Sequence, residues 1–246
     1  ENMDLSLIQG AGMSDLAKAT QKAREFRQRE QDILDCAQAL FIEHGEDKVT
    51  VEMIADKVGI GKGTIYKHFE TKNEIYVLLM IRYEDELADM FARIDMTEDK
   101  QTLVREYFTF RVKDADKYLL FERLESKLVA DGAVPTMLEK LHAIRASNVD
   151  TLYAMVEGQI KAGKLADVPP SWHIAAAWAL AHGASALTKS GFYTQFIGEK
   201  EPFLDFLLNV AVRMGNKHVL GKNPKRWFLI SLIAIKAYFV GRQVDR

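Results

Sequence analysis

The sequence predicts an all-α protein, and three observations carry that prediction. Glycine and proline, which end helices and form turns, contribute only 15 and 5 of the 246 residues, a share below the roughly 12% of an average chain. Apolar residues recur at intervals of three and four along most of the sequence, which is the spacing of one helical face. No stretch shows convincing alternation of apolar and polar residues, the pattern typical of a half-buried strand.

The chain begins with a polar N-terminal arm, residues 1–28, which precedes the first amphipathic helix. The arm contains two lysines and two arginines between positions 18 and 27. We expect it to be either a frayed end or a helical extension, because chain ends are often poorly ordered. The apolar face of the first helix is formed by Ile33, Leu34, Ala37, Leu40 and Phe41.

A short second helix is predicted from Val51 to Val58. The Thr50 hydroxyl can accept a hydrogen bond from an unpaired backbone N–H of its first turn. Ala55 is small enough for the close crossing of two helices, and Gly59 can adopt the left-handed conformation of a sharp turn. The longer helix that follows the motif keeps one apolar stripe over residues 75–94.

Six further helices are predicted in the remainder of the chain. Proline is tolerated in the first turn of a helix because its missing N–H has no intrahelical partner there. Pro135, Pro170, Pro202 and Pro224 mark four of the six beginnings. The predicted segments are about 98–114, 116–130, 135–162, 170–190, 202–214 and 224–240, with ends placed to within about two to four residues.

Residues 49–72 have the pattern of a helix-turn-helix, whose second helix enters the DNA major groove by its N-terminal residues. Ile60, Ile65 and Phe69 are spaced to fill the angle between the two helices. Four lysines and one acidic residue lie between positions 57 and 72, a local net charge of +3, although the whole chain carries −2. Positive charge is therefore concentrated on the segment that meets the groove.

The same stretch resembles the DNA-binding signature of the TetR family of bacterial transcriptional regulators. One residue departs from the family pattern, since Gly61 stands where a helix-capping serine is usual; glycine is also an acceptable cap. A looser similarity covers residues 155–215, which resemble the segment leading into the dimerisation helices of the family. The residues that match the signature are Thr50, Ile54, Ala55, Gly59, Ile60, Gly63, Ile65, Tyr66, His68, Phe69 and Lys72.

The resemblance implies a three-helix DNA-binding domain joined to a larger helical domain that binds a ligand and forms a homodimer. It implies contacts to the DNA backbone from Thr50, Tyr66 and Lys72. Local packing or hydrogen bonding is an alternative role for His68. With the residues left on the outer and flanking faces of the motif, the predicted DNA-binding set is Thr50, Lys62, Gly63, Thr64, Tyr66, Lys67, His68 and Lys72.

The resemblance also implies a small-molecule site in the larger domain, mostly apolar, for a hydrophobic or aromatic effector. Aromatic residues at helical spacing more often belong to a core than to a ligand site, so a structural role is the alternative for each candidate. The candidate ligand-binding residues are Tyr107, Phe108, Phe110, Phe121, Trp172 and Trp178.

No pattern for catalysis, cofactor binding or metal binding is recognisable in the sequence. It contains no evident nucleophile–base pair, phosphate-binding loop or carboxylate pair, so we expect neither an enzyme nor a cofactor. The single cysteine, Cys36, excludes an intrachain disulfide and a cysteine-based zinc site. No signal peptide is evident, and the longest apolar run, residues 227–235, is shorter than the ~18 residues of a spanning helix. A soluble, cytoplasmic protein without membrane partners is expected.

Four regions are predicted along the chain: the arm at 1–28, a helix-turn-helix domain at 29–72, a ligand-binding and dimerisation domain at 73–222, and an additional C-terminal helix at 223–246. This last helix is apolar around its circumference, so we expect burial on several sides. Leaving half of that surface in water costs several kcal/mol at roughly 25 cal/mol per Å². We therefore expect it to dock on the larger domain or a dimer partner, and membrane association is the rival. Its expected contacts include Trp227, Ile230 and Phe239.

The sequence thus predicts a sequence-specific DNA-binding transcriptional regulator, most simply a repressor that a small hydrophobic ligand releases from its operator. A two-fold dimer presents two recognition helices to successive major grooves, so the operator is expected to be a pseudo-palindrome. The alternative is a DNA-bound structural or partner-binding protein of the same fold with no small-molecule ligand. The identity of the effector and the choice between repression and activation stay open.

Overall fold

The computed structural model describes residues 5–94 and 100–217, most of which lie in α-helices. Within these ranges, the β interaction is an isolated antiparallel bridge between Leu165 and Asn216. The all-α prediction is therefore confirmed. The helices are α1 (Leu5–His44), α2 (Val51–Val58), α3 (Lys62–Ile65), α4 (Lys72–Arg93), α5 (Lys100–Lys113), α6 (Ala115–Asp131), α7 (Pro135–Lys161), α8 (Pro170–Lys189), α9 (Thr194–Ile197) and α10 (Lys200–Arg213).

Local sequence signals account for several helix ends. Pro135 and Pro170 are the first residues of α7 and α8, and Pro202 lies in the first turn of α10. The helix α1 runs without interruption from Leu5 to His44. From residue 5 onward, the N-terminal arm is therefore a helical extension of the first amphipathic helix.

One helix of the structure is absent from the sequence prediction, and one predicted helix lies outside the described residues. The short helix α9 was not predicted, because four residues are too few to show a helical period; Tyr193 N, just before it, donates to Ser190 Oγ at 3.3 Å. The predicted C-terminal helix, with Trp227, Ile230 and Phe239, lies outside the described residues.

The chain divides into two compact units. Within the described residues, the first comprises residues 5–80 and 124–137, and the second comprises residues 81–94, 100–123 and 138–217. Helices α4, α6 and α7 each contribute residues to both units. The functional boundaries at 29–72 and 73–222 remain a prediction.

The first unit has a core formed by α1, α2, α3 and the beginning of α4. The rings of Phe41 and Tyr76 meet edge to face in this core, with centroids 5.0 Å apart. Such burial of apolar surface stabilises the unit at roughly 25 cal/mol per Å². The fully buried side chains include Ile33, Phe41, Ile54, Ile65, Phe69 and Tyr76.

The second unit contains two apolar clusters. Tyr107 and Phe108, adjacent in sequence, belong to different clusters because neighbouring residues point about 100° apart around a helix. The first cluster consists of Leu87, Met90, Phe91, Leu103, Tyr107, Leu152, Met155, Val156 and Leu165. The second cluster consists of Phe108, Val112, Ala181, Ala184 and Ala211.

None of the helices in the described ranges is both long and apolar enough to cross a membrane.

Candidate nucleic-acid interface and effector region

The helix-turn-helix is built from α2, a glycine turn and α3. The N-cap of α2 is Thr50, whose Oγ1 accepts a hydrogen bond from Met53 N at 3.3 Å. Gly59 ends the helix with φ 78° and ψ 37°, a left-handed conformation that glycine adopts without a Cβ penalty. Its N–H donates to the Ala55 carbonyl at 2.9 Å, and the N–H of Ile60 donates to the same oxygen at 3.0 Å. These bonds fix the sharp turn between the helices.

Helix α3 turns one side to the core and the other to solvent. Ile65 and Phe69 are each 1% exposed and anchor the inner side. Tyr66, by contrast, is 47% exposed. The solvent side consists of the exposed residues Lys62, Gly63, Tyr66 and Lys67 and the half-buried Thr64. Their placement agrees with the sequence pattern, and their contacts with DNA remain a prediction.

Lys62, the first residue of α3, forms an ion pair with Glu52 of α2. Its Nζ also lies 5.8 Å from the ring centroid of Tyr66. The hydrogen bond between the two charged groups raises the pKa of Lys62 and lowers the pKa of Glu52. Exposed pairs of this kind are weak and easily exchanged. A phosphate that approaches Lys62 therefore competes with the Glu52 carboxylate for one ammonium group.

His68 follows α3, and its ring stacks on Phe26 of α1 with centroids 4.0 Å apart. Its Nδ1 is buried and has no hydrogen-bond partner in the part of the chain that the structure describes. Burial lowers the pKa of His68 and so favours the neutral ring. This stacking is a local packing role of the kind left open by the sequence, and a DNA contact through His68 remains a prediction.

Lys72, the first residue of α4, reaches back to the loop that precedes α2. Its Nζ donates to the carbonyl oxygens of Glu46 at 2.9 Å and Val49 at 3.0 Å. The Tyr76 hydroxyl donates to the same Glu46 carbonyl at 3.1 Å. Burial lowers the pKa of Lys72. Two of the three N–H donors of its ammonium are thus used within the protein, which leaves one for the predicted phosphate contact.

The candidate ligand-binding residues do not form a single group. Phe108 belongs to the second apolar cluster, and Trp172 is 54% exposed. Phe110 and Phe121 instead pack against Tyr83, with ring centroids 5.0 and 5.4 Å from its own. Tyr83 therefore brings together two candidates that are eleven positions apart in the sequence.

An arginine lies among three tyrosines of the second unit. The Cζ of Arg111 is 5.2 to 5.5 Å from the ring centroids of Tyr83, Tyr107 and Tyr118. These four residues are termed the Arg111 cluster. Arg111 Nη1 donates to the Tyr83 hydroxyl at 3.2 Å. Burial raises the pKa of Tyr83 to about 12, so this hydroxyl stays protonated at neutral pH.

Two residues of α8, Trp178 and His182, lie beside the Arg111 cluster. The Tyr118 hydroxyl is 3.2 Å from His182 Nδ1, and the Trp178 and His182 ring centroids are 5.6 Å apart. Trp178 is 44% exposed. This side of the cluster therefore continues to the surface of the second unit. Of the six candidates, Tyr107, Phe110, Phe121 and Trp178 are associated with the cluster, and Phe108 and Trp172 lie elsewhere.

A buried carboxylate in the same unit, Glu84, is 3% exposed. Arg145 Nε donates to its Oε1 at 3.0 Å. Asn148 Nδ2 donates to its Oε2 at 3.0 Å and to its backbone carbonyl at 2.9 Å. Both carboxylate oxygens are therefore engaged by partners other than Arg111.

Sequence reasoning missed Arg111 and Tyr83 as candidate site residues. One signal was present, since Arg111 follows Tyr107 by four residues and the two share a helical face. Tyr83 comes from another helix, and no local spacing reveals its contact. Throughout residues 5–94 and 100–217, no group of three or more His, Cys, Asp or Glu residues is arranged to hold a metal ion.

A helix-turn-helix with an exposed basic side, carried by an all-α chain, defines a DNA-binding transcriptional regulator. The family model for bacterial regulatory proteins of the tetR family matches residues 33–79, a range that includes α2, α3 and parts of α1 and α4. This match covers the N-terminal segment that contains the helix-turn-helix, and the rest of the chain lies outside it.

Individual relatives and a solved structure resemble the chain over a longer part of its sequence. The HTH-type transcriptional regulator RutR of Escherichia coli O157:H7 is 27% identical over 161 residues, which span 64% of this chain and 74% of RutR. The HTH-type transcriptional activator FasR of Mycolicibacterium smegmatis is 28% identical over 130 residues, which span 45% of this chain and 59% of FasR. The crystal structure of AibR in complex with isovaleryl coenzyme A and operator DNA has a TM-score of 0.56 at 15% identity, covering 74% of this chain and 97% of that one. This last likeness concerns the fold.

Proposed function

We propose that this transcriptional regulator is a homodimeric repressor, which binds a pseudo-palindromic operator and is released when a small hydrophobic effector binds its second unit. The observation that carries the DNA-binding part is the exposed basic side of α3. Lys62 and Lys67 are exposed there, and positive charge of this kind provides the electrostatic attraction to the phosphate backbone.

The proposed DNA-binding residues fall into three groups: those that contact the DNA backbone, those that contact base edges, and those on the flanks of the interface. Phosphates receive most hydrogen bonds in protein–DNA interfaces, and we assign phosphate contacts to Tyr66, Lys67 and Lys72. Lys62 and Thr64, near the beginning of α3, are assigned to base edges in the major groove. Thr50 is also assigned to the DNA backbone, as the resemblance implies, and Gly63 and His68 are assigned to the flanks of the interface.

Exposed apolar side chains on α8 and α10 support the proposed homodimer. Trp172 of α8 and Phe206 and Val210 of α10 are all exposed, and monomeric proteins rarely leave large apolar patches in water. A second copy of the chain is the occupant we propose, because a two-fold interface is self-complementary. Sedimentation equilibrium should give twice the chain mass of 27.9 kDa, and a stable monomer contradicts the proposal.

An effector is supported by AibR, which shares the fold and is seen with both isovaleryl coenzyme A and operator DNA. The proposed route of communication is a displacement of α4, which contributes residues to both units. A ligand can shift such an equilibrium only if its affinity differs between the two states.

The alternative is a DNA-bound protein whose second unit binds another protein and no small molecule. The observation that favours it is the exposed aromatic group around α9, where Phe192 and Phe196 have ring centroids 5.0 Å apart. Thermal unfolding of the protein against a ligand library separates the two functions. A compound that raises the melting temperature and also dissociates DNA supports the effector, and stabilisation by a protein partner alone supports the alternative.

Selection of bound fragments from a random DNA library tests the proposal most broadly. An enriched inverted repeat bound by two protomers is expected. If no sequence is enriched, the regulator function fails, and an enriched site without two-fold symmetry contradicts the dimeric arrangement. A reporter gene placed behind the selected site then shows whether the chain represses or activates transcription. FasR, one of the similar proteins, is named as a transcriptional activator.

A further inference from the structure

Arg111 is a buried cation whose hydrogen-bonding capacity is only partly used by the protein. Its Nη1 donates to the Tyr83 hydroxyl at 3.2 Å. Its Nε is buried and meets no acceptor among residues 5–94 and 100–217. The Nε–H and one Nη2–H lie along one edge of the planar guanidinium and point in the same direction. The two oxygens of a carboxylate can accept one hydrogen bond each from the two N–H groups of this edge.

The charge of Arg111 is not paired with a carboxylate of the described chain. Burial opposes the charged guanidinium, but Tyr107, Tyr83 and Glu84 more than offset that effect and raise the pKa of Arg111. The Glu84 carboxylate acts on it through space only, because its oxygens are held by Arg145 and Asn148. A buried charge is unfavourable unless it is paired and hydrogen-bonded. An anion at the Nε–Nη2 edge completes the pairing.

The other cations near the cluster already have partners. Lys117 Nζ lies 5.3 Å from the Tyr83 ring centroid, but it pairs with Glu86 at 2.7 Å. Arg145 pairs with Glu84 at 3.0 Å. Of these three cations, Arg111 is the one for which the described residues provide no paired carboxylate. One unpaired positive charge matches a monoanion better than a multiply charged ligand.

The surroundings of Arg111 indicate the rest of the ligand. The rings of Tyr83, Tyr107 and Tyr118 surround the guanidinium, and the half-buried Phe110 lies against Tyr83. The exposed Trp178 continues the aromatic surface outward. Aromatic pairs in stacked or edge-to-face arrangements stabilise a complex beyond their area of contact. If a ligand binds Arg111 through a carboxylate, an aromatic ring on the same ligand would therefore pack favourably against these aromatic side chains.

We propose that the effector is an aromatic monocarboxylate, whose carboxylate binds the Nε–Nη2 edge of Arg111 and whose ring packs against Tyr118 and Trp178. Tyr83 is a positioning residue, since its hydroxyl engages Nη1 and fixes the plane of the guanidinium. The inference rests on the proposed function, because it names the chemical class of that effector. Ligand binding is nevertheless measurable without DNA.

The first experiment compares three carboxylates with their uncharged amides on the full chain. Benzoate, cinnamate and indole-3-acetate are matched in shape by benzamide, cinnamamide and indole-3-acetamide. Isothermal titration and thermal unfolding should show at least one carboxylate binding tenfold or more tightly than its amide. If no carboxylate binds better than its amide, the proposal is overturned.

The second experiment uses variants of one helix. Arg111→Gln should weaken carboxylate binding at least tenfold and amide binding far less, because it removes the charge that distinguishes the two ligands, together with the Nη1 hydrogen bond to Tyr83. Arg111→Lys keeps the charge without the bidentate edge and should show a smaller loss. Arg105→Gln, an exposed position of α5, is the matched control and should bind as the wild type does. If circular dichroism shows Arg111→Gln to be unfolded, the Arg111→Lys variant and the carboxylate–amide comparison decide whether Arg111 binds the carboxylate.

Equal carboxylate affinity in the folded Arg111→Gln variant and the wild type would remove Arg111 from the site. Operator binding is measured on the same preparations, so that the two proposals fail separately. If operator DNA binds but none of the six compounds does, the effector class is wrong and the regulator function stands. If a carboxylate binds through Arg111 but no DNA sequence is selected, the regulator function fails and the carboxylate site stands.

Discussion

The helix-turn-helix and the Arg111 cluster hold positive charge in opposite ways. Lys67 lies exposed on α3, and Lys62 is satisfied by an exposed and exchangeable partner, Glu52. Arg111 lies among three tyrosine rings, with its Nε buried. Exposed charges attract a long polyanion through an ion atmosphere and are strongly screened by salt, whereas a buried charge recognises one small ion and is screened less. The exposed lysines of α3 therefore suit DNA, and the buried Arg111 suits a small carboxylate.

The largest expected effect is the difference in salt dependence between the two regions. If the dimer neutralises about eight phosphates, the logarithm of the DNA-binding constant should fall with the logarithm of salt at a slope near −7. Raising salt from ~50 to ~200 mM then weakens DNA binding on the order of 10⁴-fold. Carboxylate binding at Arg111 should change only a few-fold over the same range. Fluorescence anisotropy and calorimetry give the two slopes, and salt-independent DNA binding would contradict the regulator function.

Replacing Tyr66 or Lys72 with alanine should weaken DNA binding about tenfold in each case, for specific and non-specific sequences alike, because phosphate contacts carry little base information. The two variants should differ in stability. Tyr66→Ala removes an exposed ring and should melt as the wild type does. Lys72→Ala removes the Lys72 donor from the Val49 carbonyl and one of the two donors to the Glu46 carbonyl, and it should lower the free energy of unfolding by about 1–3 kcal/mol.

Anisotropy and denaturant unfolding, with dimerisation checked by sedimentation, separate these outcomes. A Tyr66→Ala protein with full DNA affinity would remove Tyr66 from the phosphate contacts. A Lys72→Ala protein as stable as the wild type would show that the tie to the loop before α2 contributes little to folding.

Glu52→Gln should strengthen DNA binding by a smaller factor, about threefold. The change removes one negative charge beside the interface and frees the Lys62 ammonium from its ion pair; because an exposed pair of this kind is weak, the gain is small. Glu139→Gln, at an exposed position of α7, has the same effect on net charge and serves as the control. Equal gains in both variants would mean that net charge, rather than the release of Lys62, controls the affinity.

The smallest expected effect is the pH dependence of stability that His68 produces. Burial holds the folded-state pKa of His68 below its ordinary value of 6.5, so protonation favours the unfolded chain. Stability should therefore decline as pH falls through 6.5 toward the folded-state pKa, with the full loss reached below it. The ring is partly exposed, so solvent screening keeps the loss small.

His68→Phe keeps an aromatic ring against Phe26 and removes the titration. Urea unfolding at several pH values between 5 and 8 compares this variant with the wild type. A wild-type profile as flat as that of the variant would show that His68 does not titrate differently in the folded chain.

The helix-turn-helix could be predicted from the sequence because its determinants are local. The cap at Thr50, the turn at Gly59 and the inward Ile65 lie within sixteen residues, and the structure places each as the spacing indicates. Lys72 shows the limit of such reasoning. Its charge and position suggested a phosphate contact, but the two carbonyls that it engages are 26 and 23 residues away.

The Arg111 cluster could not be predicted, because its members come from different helices. The hydrogen bond from Arg111 to Tyr83 joins residues 28 positions apart, and Tyr118 and His182 are 64 apart. Aromatic richness of the sequence marked this region correctly as apolar. It could not separate Phe108, which packs with small residues of α8 and α10, from Tyr107, which lies beside the arginine.

Affinity for one selected DNA fragment, measured by anisotropy for two charge-reversal variants, tests the central claim most directly. Lys67→Glu places a negative charge on the exposed side of α3, and Lys140→Glu makes the same change at an exposed position of α7. If α3 is the DNA-binding surface, Lys67→Glu should lose on the order of 100-fold in affinity, while Lys140→Glu stays within a few-fold of the wild type. Equal losses in the two folded variants, or full affinity in Lys67→Glu, would contradict that assignment.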